Sequence, residues 1–140
     1  NCSIGGRYYT WTAAVNLDAK RQNASAGELI CKPHQGLCPK GWHIPTAEEW
    51  KALNFDANMP PQMMGFSGRT AEMDVSVFSA LPTGYHDNND DYSRVGYCDN
   101  FCSATEPEFE EDDRVLALTW GCFVLSSKKH GHSVRCFQNQ

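Results

Sequence analysis

The run Cys38-Pro39-Lys40-Gly41-Trp42-His43-Ile44-Pro45-Thr46-Ala47-Glu48-Glu49-Trp50 constrains the fold of this chain more than any other segment. Pro39, Gly41 and Pro45 punctuate its first half and make it extended. A helix then starts abruptly. The Thr46 hydroxyl is placed to accept from an unpaired N–H of the first turn, and Glu49 stands three residues on, which makes a capping box. Glu48 and Glu49 also suit the positive end of the helix dipole. Trp50 and Leu53 share a face at helical spacing, and Pro60-Pro61 sets the latest point at which the helix ends. Near the other end of the chain, Ser133-Val134-Arg135-Cys136 is a second extended piece that carries a cysteine.

The rest is short and β-prone. Gly5-Gly6 precedes Arg7–Trp11, an aromatic run that predicts a strand. Thr12 is a candidate N-cap for a short helix reaching Ala19, and residues 23–27 are small and polar, hence a loop. Residues 78–85 read as a strand broken by Pro82, at an edge or bulge. Residues 86–93 form a polar loop, 101–105 a short strand and 106–113 an acidic run. Residues 115–125 predict a hairpin around Trp120-Gly121, and 133–137 a closing strand. There is no repeat and no linker. The expectation is one loop-rich α+β domain over residues 1–140, a size that supports one core.

Composition narrows the partners. A net charge of −5 argues against nucleic acid, which requires a basic face. No stretch has the apolar length of a membrane span, so any membrane association runs through parts outside this sequence. The chain starts at Asn1 and reads as a mature or trimmed piece of a longer precursor. Seven cysteines without a CxxC pair suggest disulfides and an oxidising compartment more than a zinc knuckle. Asn23-Ala24-Ser25 is a glycosylation sequon, a short match that carries little weight.

Five segments, GRYYTW (6–11), CPKGWHIPTAEEW (38–50), FSALPTGY (78–85), FCSATE (101–106) and GHSVRC (131–136), together resemble the Fibrobacter succinogenes major paralogous domain family. That family occurs in secreted and surface proteins of Bacteroidetes and their relatives. The resemblance implies a C-type-lectin-like fold of the formylglycine-generating-enzyme-like branch: a small twisted antiparallel sheet, one or two helices and long functional loops. It also implies a Cys38–Cys136 disulfide between the first long helix and the last strand. The alternative is two buried free thiols. Cys2–Cys31 is a plausible second pair, and Cys98–Cys102 is spaced to close a small loop. The sequence departs from the family at Cys102, where the family tends to tryptophan, and at His132, where it tends to an aromatic. Both departures are expected to be exposed, variable positions.

Some family members resemble targets of diversity-generating retroelements, which mutate adenines and so scatter residue types over fixed surface positions. A conserved-looking framework with idiosyncratic loops fits that type. The expected ligand-binding residues are His86, Asp87, Asn88, Asn89, Asp91, Tyr92, Asp99, Asn100, Cys102, Thr119, Trp120, Phe123, Lys129, His130 and His132.

Other chemistries were weighed on the residues. The Asp87–Asp91 loop offers oxygens for calcium but misses the EF-hand spacing, and the calcium-lectin signatures Glu-Pro-Asn and Gln-Pro-Asp are absent, so a solvated loop is expected and no cofactor. On a strand, His130 and His132 would share a face and could hold a metal, but an exposed polar pair is the expectation. No phosphate loop, G-x-S-x-G elbow or HExxH helix is present, and Glu108, Glu110 and Glu111 read as a charged face. Trp11, Trp42 and Trp50 are expected in the core, and Trp120 either in the core or in the binding surface. The reading is a non-catalytic, secreted or surface-bound bacterial domain that binds an extracellular protein or glycan. An adhesin or carbohydrate-binding module with a fixed ligand is the alternative.

Overall fold

The computed structural model describes residues 6–53, 83–89, 91–95, 98–108, 112–119 and 122–140. Helix α1 spans Trp11–Ala14 and α2 spans Ala47–Ala52, with short 3-10 turns at Ala19–Asn23 and Gly27–Leu29. The strands are β1 (Trp42–His43), β2 (Tyr85–His86), β3 (Tyr92–Ser93), β4 (Phe101–Cys102), β5 (Arg114–Thr119), β6 (Cys122–Ser127) and β7 (Phe137–Gln138). They form three antiparallel sheets, β1–β7, β2–β3 and β4–β5–β6. The architecture is α+β.

The Thr46 capping box forms as the sequence predicts. The Thr46 hydroxyl accepts from the Glu49 N–H at 3.2 Å and the Glu49 carboxylate accepts from the Thr46 N–H at 2.8 Å. The same carboxylate reaches His43 at 2.8 Å, and the other ring nitrogen of His43 lies 2.7 Å from the Asn139 amide oxygen. One side chain thus joins the helix start to β1 and to the end of the chain. The Cys38–Cys136 disulfide forms, with a Cα–Cα distance of 5.9 Å.

The core lies on both sides of β4. Trp11, Ile44, Cys102 and Val115 pack in one cluster, and Trp50, Phe101 and Leu118 in the other. Each tryptophan N–H finds a backbone acceptor in this strand region: Trp11 donates to the Ser103 carbonyl at 3.0 Å and Trp50 to the Cys102 carbonyl at 3.3 Å. Buried indole nitrogens need such partners.

Lys128 is fully buried between the ends of the sheet and the 3-10 turns. Its ammonium lies 4.7 Å from the centre of the Trp11 ring and donates to the Ala24 carbonyl at 2.9 Å. It also contacts the Glu106 carboxylate and the Asp112 carbonyl. Glu106 in turn accepts from the backbone N–H groups of Ala26 and Gly27 and from the Ser25 hydroxyl. Burial pushes the Glu106 carboxyl up, but the Lys128 contact and the two backbone donors outweigh it and hold the group below its ordinary value. The charges are therefore paired and hydrogen-bonded, the condition under which a charge can be buried.

Several expectations are corrected. Helix α1 starts at Trp11, with a cap two residues earlier than expected, because Thr10 and not Thr12 caps it, and it covers four residues. Residues 7–11 supply a single bridge, Tyr9 to His132, in place of a strand. Trp42 is 40% exposed and Leu53 46%, so neither belongs to the core; α2 buries Ala47 and Trp50 only. In the closing segment the ladder falls at Phe137–Gln138, while Ser133 makes one parallel bridge to Phe101. The predicted 115–125 hairpin is present as β5–β6. Of the predicted strand at 78–85, residues 78–82 lie outside the described residues, and Tyr85 opens β2.

Candidate functional site

Residues 86–93, read from sequence as a polar loop, contain the β2–β3 hairpin. Asp87 organises its turn. One carboxylate oxygen accepts from the Asn89 N–H at 2.8 Å and the Asp91 N–H at 3.2 Å, and the other from the Ser93 hydroxyl at 3.2 Å. The Asn89 bond leads in lowering the Asp87 carboxyl below its usual value, with Asp91, Ser93 and the nearby His130 adding to it. Gly84 precedes the hairpin at φ +69, and a Cβ there would stand 2.3 Å from the Ser93 carbonyl oxygen. Only glycine fits that approach.

The hairpin is docked on the segment before the closing motif. His86 and Gly131 exchange both backbone hydrogen bonds, at 3.0 and 2.8 Å. Gly131 has no room for a side chain, since a Cβ would meet the Cβ atoms of His86 and Tyr8 at 2.8 and 2.9 Å. Around this contact the rings gather. Tyr85 stacks on His130 at 5.3 Å, His86 meets Tyr92 edge-on at 5.0 Å, and Tyr8 lies 5.6 Å from Tyr92. Tyr92 is nevertheless 60% exposed. It is an aromatic held by neighbours below and open to solvent above.

Between this hairpin and β5–β6 lies a cleft of about 270 Å³. Cys98, Asn100, Ser126 and Ser127 form its buried floor. Tyr85 and His130 make one wall, Val124 and Leu125 an apolar edge, and Arg94 and Arg114 reach it from the hairpin side and from β5. The Ser126 hydroxyl lies 3.3 Å from His130 Nδ1. Burial lowers the His130 imidazole; Asp87 opposes that and Arg114 adds to it, and the net shift is downward. That shift favours the neutral ring, and its Nδ1 is directed at Ser126.

The structure divides the expected binding residues. Asn88, Asn89, Asp91, Tyr92 and Lys129 are exposed, and His86, Asp87, Thr119 and His130 are partly so. Trp120 lies outside the described residues. Asp99, Asn100, Cys102 and His132 are buried, contrary to expectation. His132 has no exposed surface: one ring nitrogen lies 2.6 Å from the Asn100 amide oxygen and the other 3.2 Å from the Ser127 carbonyl. Cys102 faces the Trp11 cluster. The two positions expected to be variable and exposed, Cys102 and His132, therefore both lie in the core. Phe123 is also corrected. It packs on the Trp50 cluster with Lys51 5.4 Å from its ring centre, away from the cleft.

Among the described residues no three His, Cys, Asp or Glu side chains cluster as a metal site would need. The rings of His130 and His132 are 6.4 Å apart, and both nitrogens of His132 are engaged. The small Cys98–Cys102 loop that the spacing allows does not form; both are buried free thiols, and Cys31 is an exposed free thiol. Its proposed partner, Cys2, lies outside the described residues. Burial pushes the Cys102 thiol up to about 12 and raises Cys98 as well, which makes both poor nucleophiles at neutral pH.

Sequence reading missed Tyr8, Arg94, Arg114, Val124 and Leu125 at this surface. Arg94 and Arg114 are single charges with no local pattern to mark them. Val124 and Leu125 read as part of an apolar strand, and only the pairing of β6 with β5 leaves them open.

The framework that carries the cleft is the part of the chain with family motifs. The Fibrobacter succinogenes major domain matches residues 1–138. The chain belongs to this family. No curated protein and no solved structure matches it. In this member of the Fibrobacter succinogenes major domain family, the motif residues Thr46, Glu49, Trp50, Cys38 and Cys136 build the capping box, the core and the disulfide. Among the described residues, no helix is long and apolar enough to cross a membrane.

Proposed function

We propose that this protein is a non-catalytic ligand-binding domain of a secreted or surface-bound bacterial protein, built on a C-type-lectin-like fold. The β2–β3 hairpin, the Lys129–His130 turn and the neighbouring edge of β6 are the binding surface. The observation that carries this reading is Tyr92, 60% exposed yet braced by Tyr8 and His86. A rigid aromatic open to solvent, flanked by Asn and Asp turns, supplies contact area at low entropic cost and adaptable hydrogen bonds. The disulfide suits an oxidising, extracellular setting. No cofactor enters the reading.

The exposed residues of the hairpin and of the Lys129 turn are the positions at which a diversity-generating retroelement would vary a binder of this type. Asp99, Asn100, Cys102 and His132 act under that surface, as its support. The ligand is an extracellular protein or glycan. An array of glycans and extracellular proteins, run with and without calcium, tests the reading. Tyr92→Ala is expected to weaken binding at least tenfold at unchanged thermal stability. Unaltered binding would move the site elsewhere. Sibling genes are expected to differ mainly at adenine-rich codons for residues 86–93 and 129–130. Uniform loops with one reproducible polysaccharide ligand would instead indicate an adhesin or carbohydrate-binding module with a fixed ligand.

A further inference from the structure

We infer that the cleft between the two hairpins takes an anionic sugar residue of an acidic glycan, with the Arg94 guanidinium meeting its carboxylate or sulfate. The inference rests on the binding role proposed above and names its ligand class. The chain carries 17 acidic and 12 basic side chains, yet among the described residues two arginines and no carboxylate line this cleft. Arg94 is exposed and has no ion-pair partner among the described residues. Its backbone sits at φ 58, in the left-handed region that a residue with a Cβ seldom adopts, and its side chain lines the cleft. Arg114 reaches the same cleft from β5, with its Nε 3.4 Å from Asp113.

A guanidinium meets a planar carboxylate or a sulfate through paired N–H donors, a geometry that an ammonium lacks. The remaining surface suits a sugar ring more than a peptide side chain. The stacked Tyr85–His130 pair offers a flat face, and Ser126 on the floor brings a hydroxyl group for the ring hydroxyls. At about 270 Å³ the cleft falls just under the ~300–1,000 Å³ of sites for drug-sized ligands, which suits a single pyranose residue. The net negative charge of the chain does not oppose this at physiological salt, because charges beyond about 8 Å are largely screened.

The test measures retention on immobilised polygalacturonate, dextran sulfate and neutral dextran, at physiological and at high salt. The protein is expected to bind an anionic polymer and not neutral dextran, and to lose most of that binding at high salt. Preference for polygalacturonate or for dextran sulfate assigns the anion as carboxylate or sulfate. Asparagine tolerates the left-handed backbone, so Arg94→Asn removes the charge with little strain and is expected to weaken binding tenfold or more. Arg94→Lys is expected to fall between the two. Arg114→Gln serves as an independent variant with the same expected direction. No binding of the native protein to either anionic polymer, or full binding by Arg94→Asn, overturns the inference. Binding to a neutral glycan or a protein that Tyr92→Ala abolishes and Arg94→Asn leaves intact overturns the ligand class while the broader binding role stands.

Discussion

His132 shows how one buried side chain ties stability to pH. Burial leads in pushing its pKa down to about 4 from 6.5; the Ser127 hydrogen bond opposes this and His130 adds to it. The folded protein therefore holds the ring neutral, while the unfolded chain protonates it near 6.5. Between those two values the unfolded state binds the extra proton, so stability is full above about pH 6.5 and declines as the pH falls toward 4. The size of the decline follows from 1.36 kcal/mol per pKa unit and is about 3 kcal/mol for this group. Burial lowers His130 too, so its contribution has the same sign. Urea unfolding at stepped pH is expected to show this loss, and the His132 ring resonances are expected to stay flat from pH 7.5 to 5. A His132 midpoint near 6.5 would contradict the buried, neutral assignment. Sequence reading placed His132 at the surface because a polar residue stood where the family tends to an aromatic. Its hydrogen-bond partner Asn100 lies 32 positions away, and no local pattern reports a contact of that range.

Among the elements, what was legible was what is local. The capping box of α2 needs only Thr46 and Glu49, three residues apart, and it forms as read. The β5–β6 hairpin was legible from its apolar, β-prone run and central Gly121. Lys128 was not, although its ammonium gathers Ala24, Glu106, Asp112 and the Trp11 ring. Beside Lys129, His130 and His132 it reads as one more surface charge. It is buried because Ala24, Glu106 and Asp112, from three separate connections, converge on its ammonium. Removing one partner of a buried, hydrogen-bonded ion pair costs about 3–5 kcal/mol, because the other charge is stranded. Lys128→Met is therefore expected to lower the unfolding free energy by about that amount, read from the urea midpoint at unchanged slope. Adding Glu106→Gln to that variant is expected to restore part of the loss, since the neutral amide no longer needs a countercharge. A loss under about 1 kcal/mol for Lys128→Met, the scale of an exposed ion pair, would place the lysine at the surface.

Among the described residues the molecule has three short sheets and two short helices, and α2, at six residues, is too short to be stable alone in water. Such a fold depends on what joins distant parts of the chain. The Cys38–Cys136 disulfide joins residues 98 positions apart, and its pairing came from the family pattern, since seven cysteines by themselves allow many pairings. In the chain-entropy account, closing a loop of that length stabilises the folded state by about 4–5 kcal/mol, against a total of about 5–15 kcal/mol for an ordinary domain. Cys136 lies four residues beyond His132, whose backbone pairs with Tyr9, and Gly131 in the same segment clamps the β2–β3 hairpin. Loosening the closing segment therefore releases the clamp under Tyr92 as well as the disulfide end of the core. The Cys38→Ser/Cys136→Ser variant is expected to lose about 4–5 kcal/mol in urea unfolding by the same entropy argument, and amide exchange in residues 85–86 and 131–133 is expected to accelerate with it. Cys31, Cys98 and Cys102 are free thiols, so the measurement is made with thiols alkylated in the denatured samples, which prevents exchange with them. A variant that keeps slow exchange at His86 and Gly131 would mean that the Lys128 and Glu49 contacts hold the framework by themselves, and that the disulfide guards the unfolded chain without shaping the binding face.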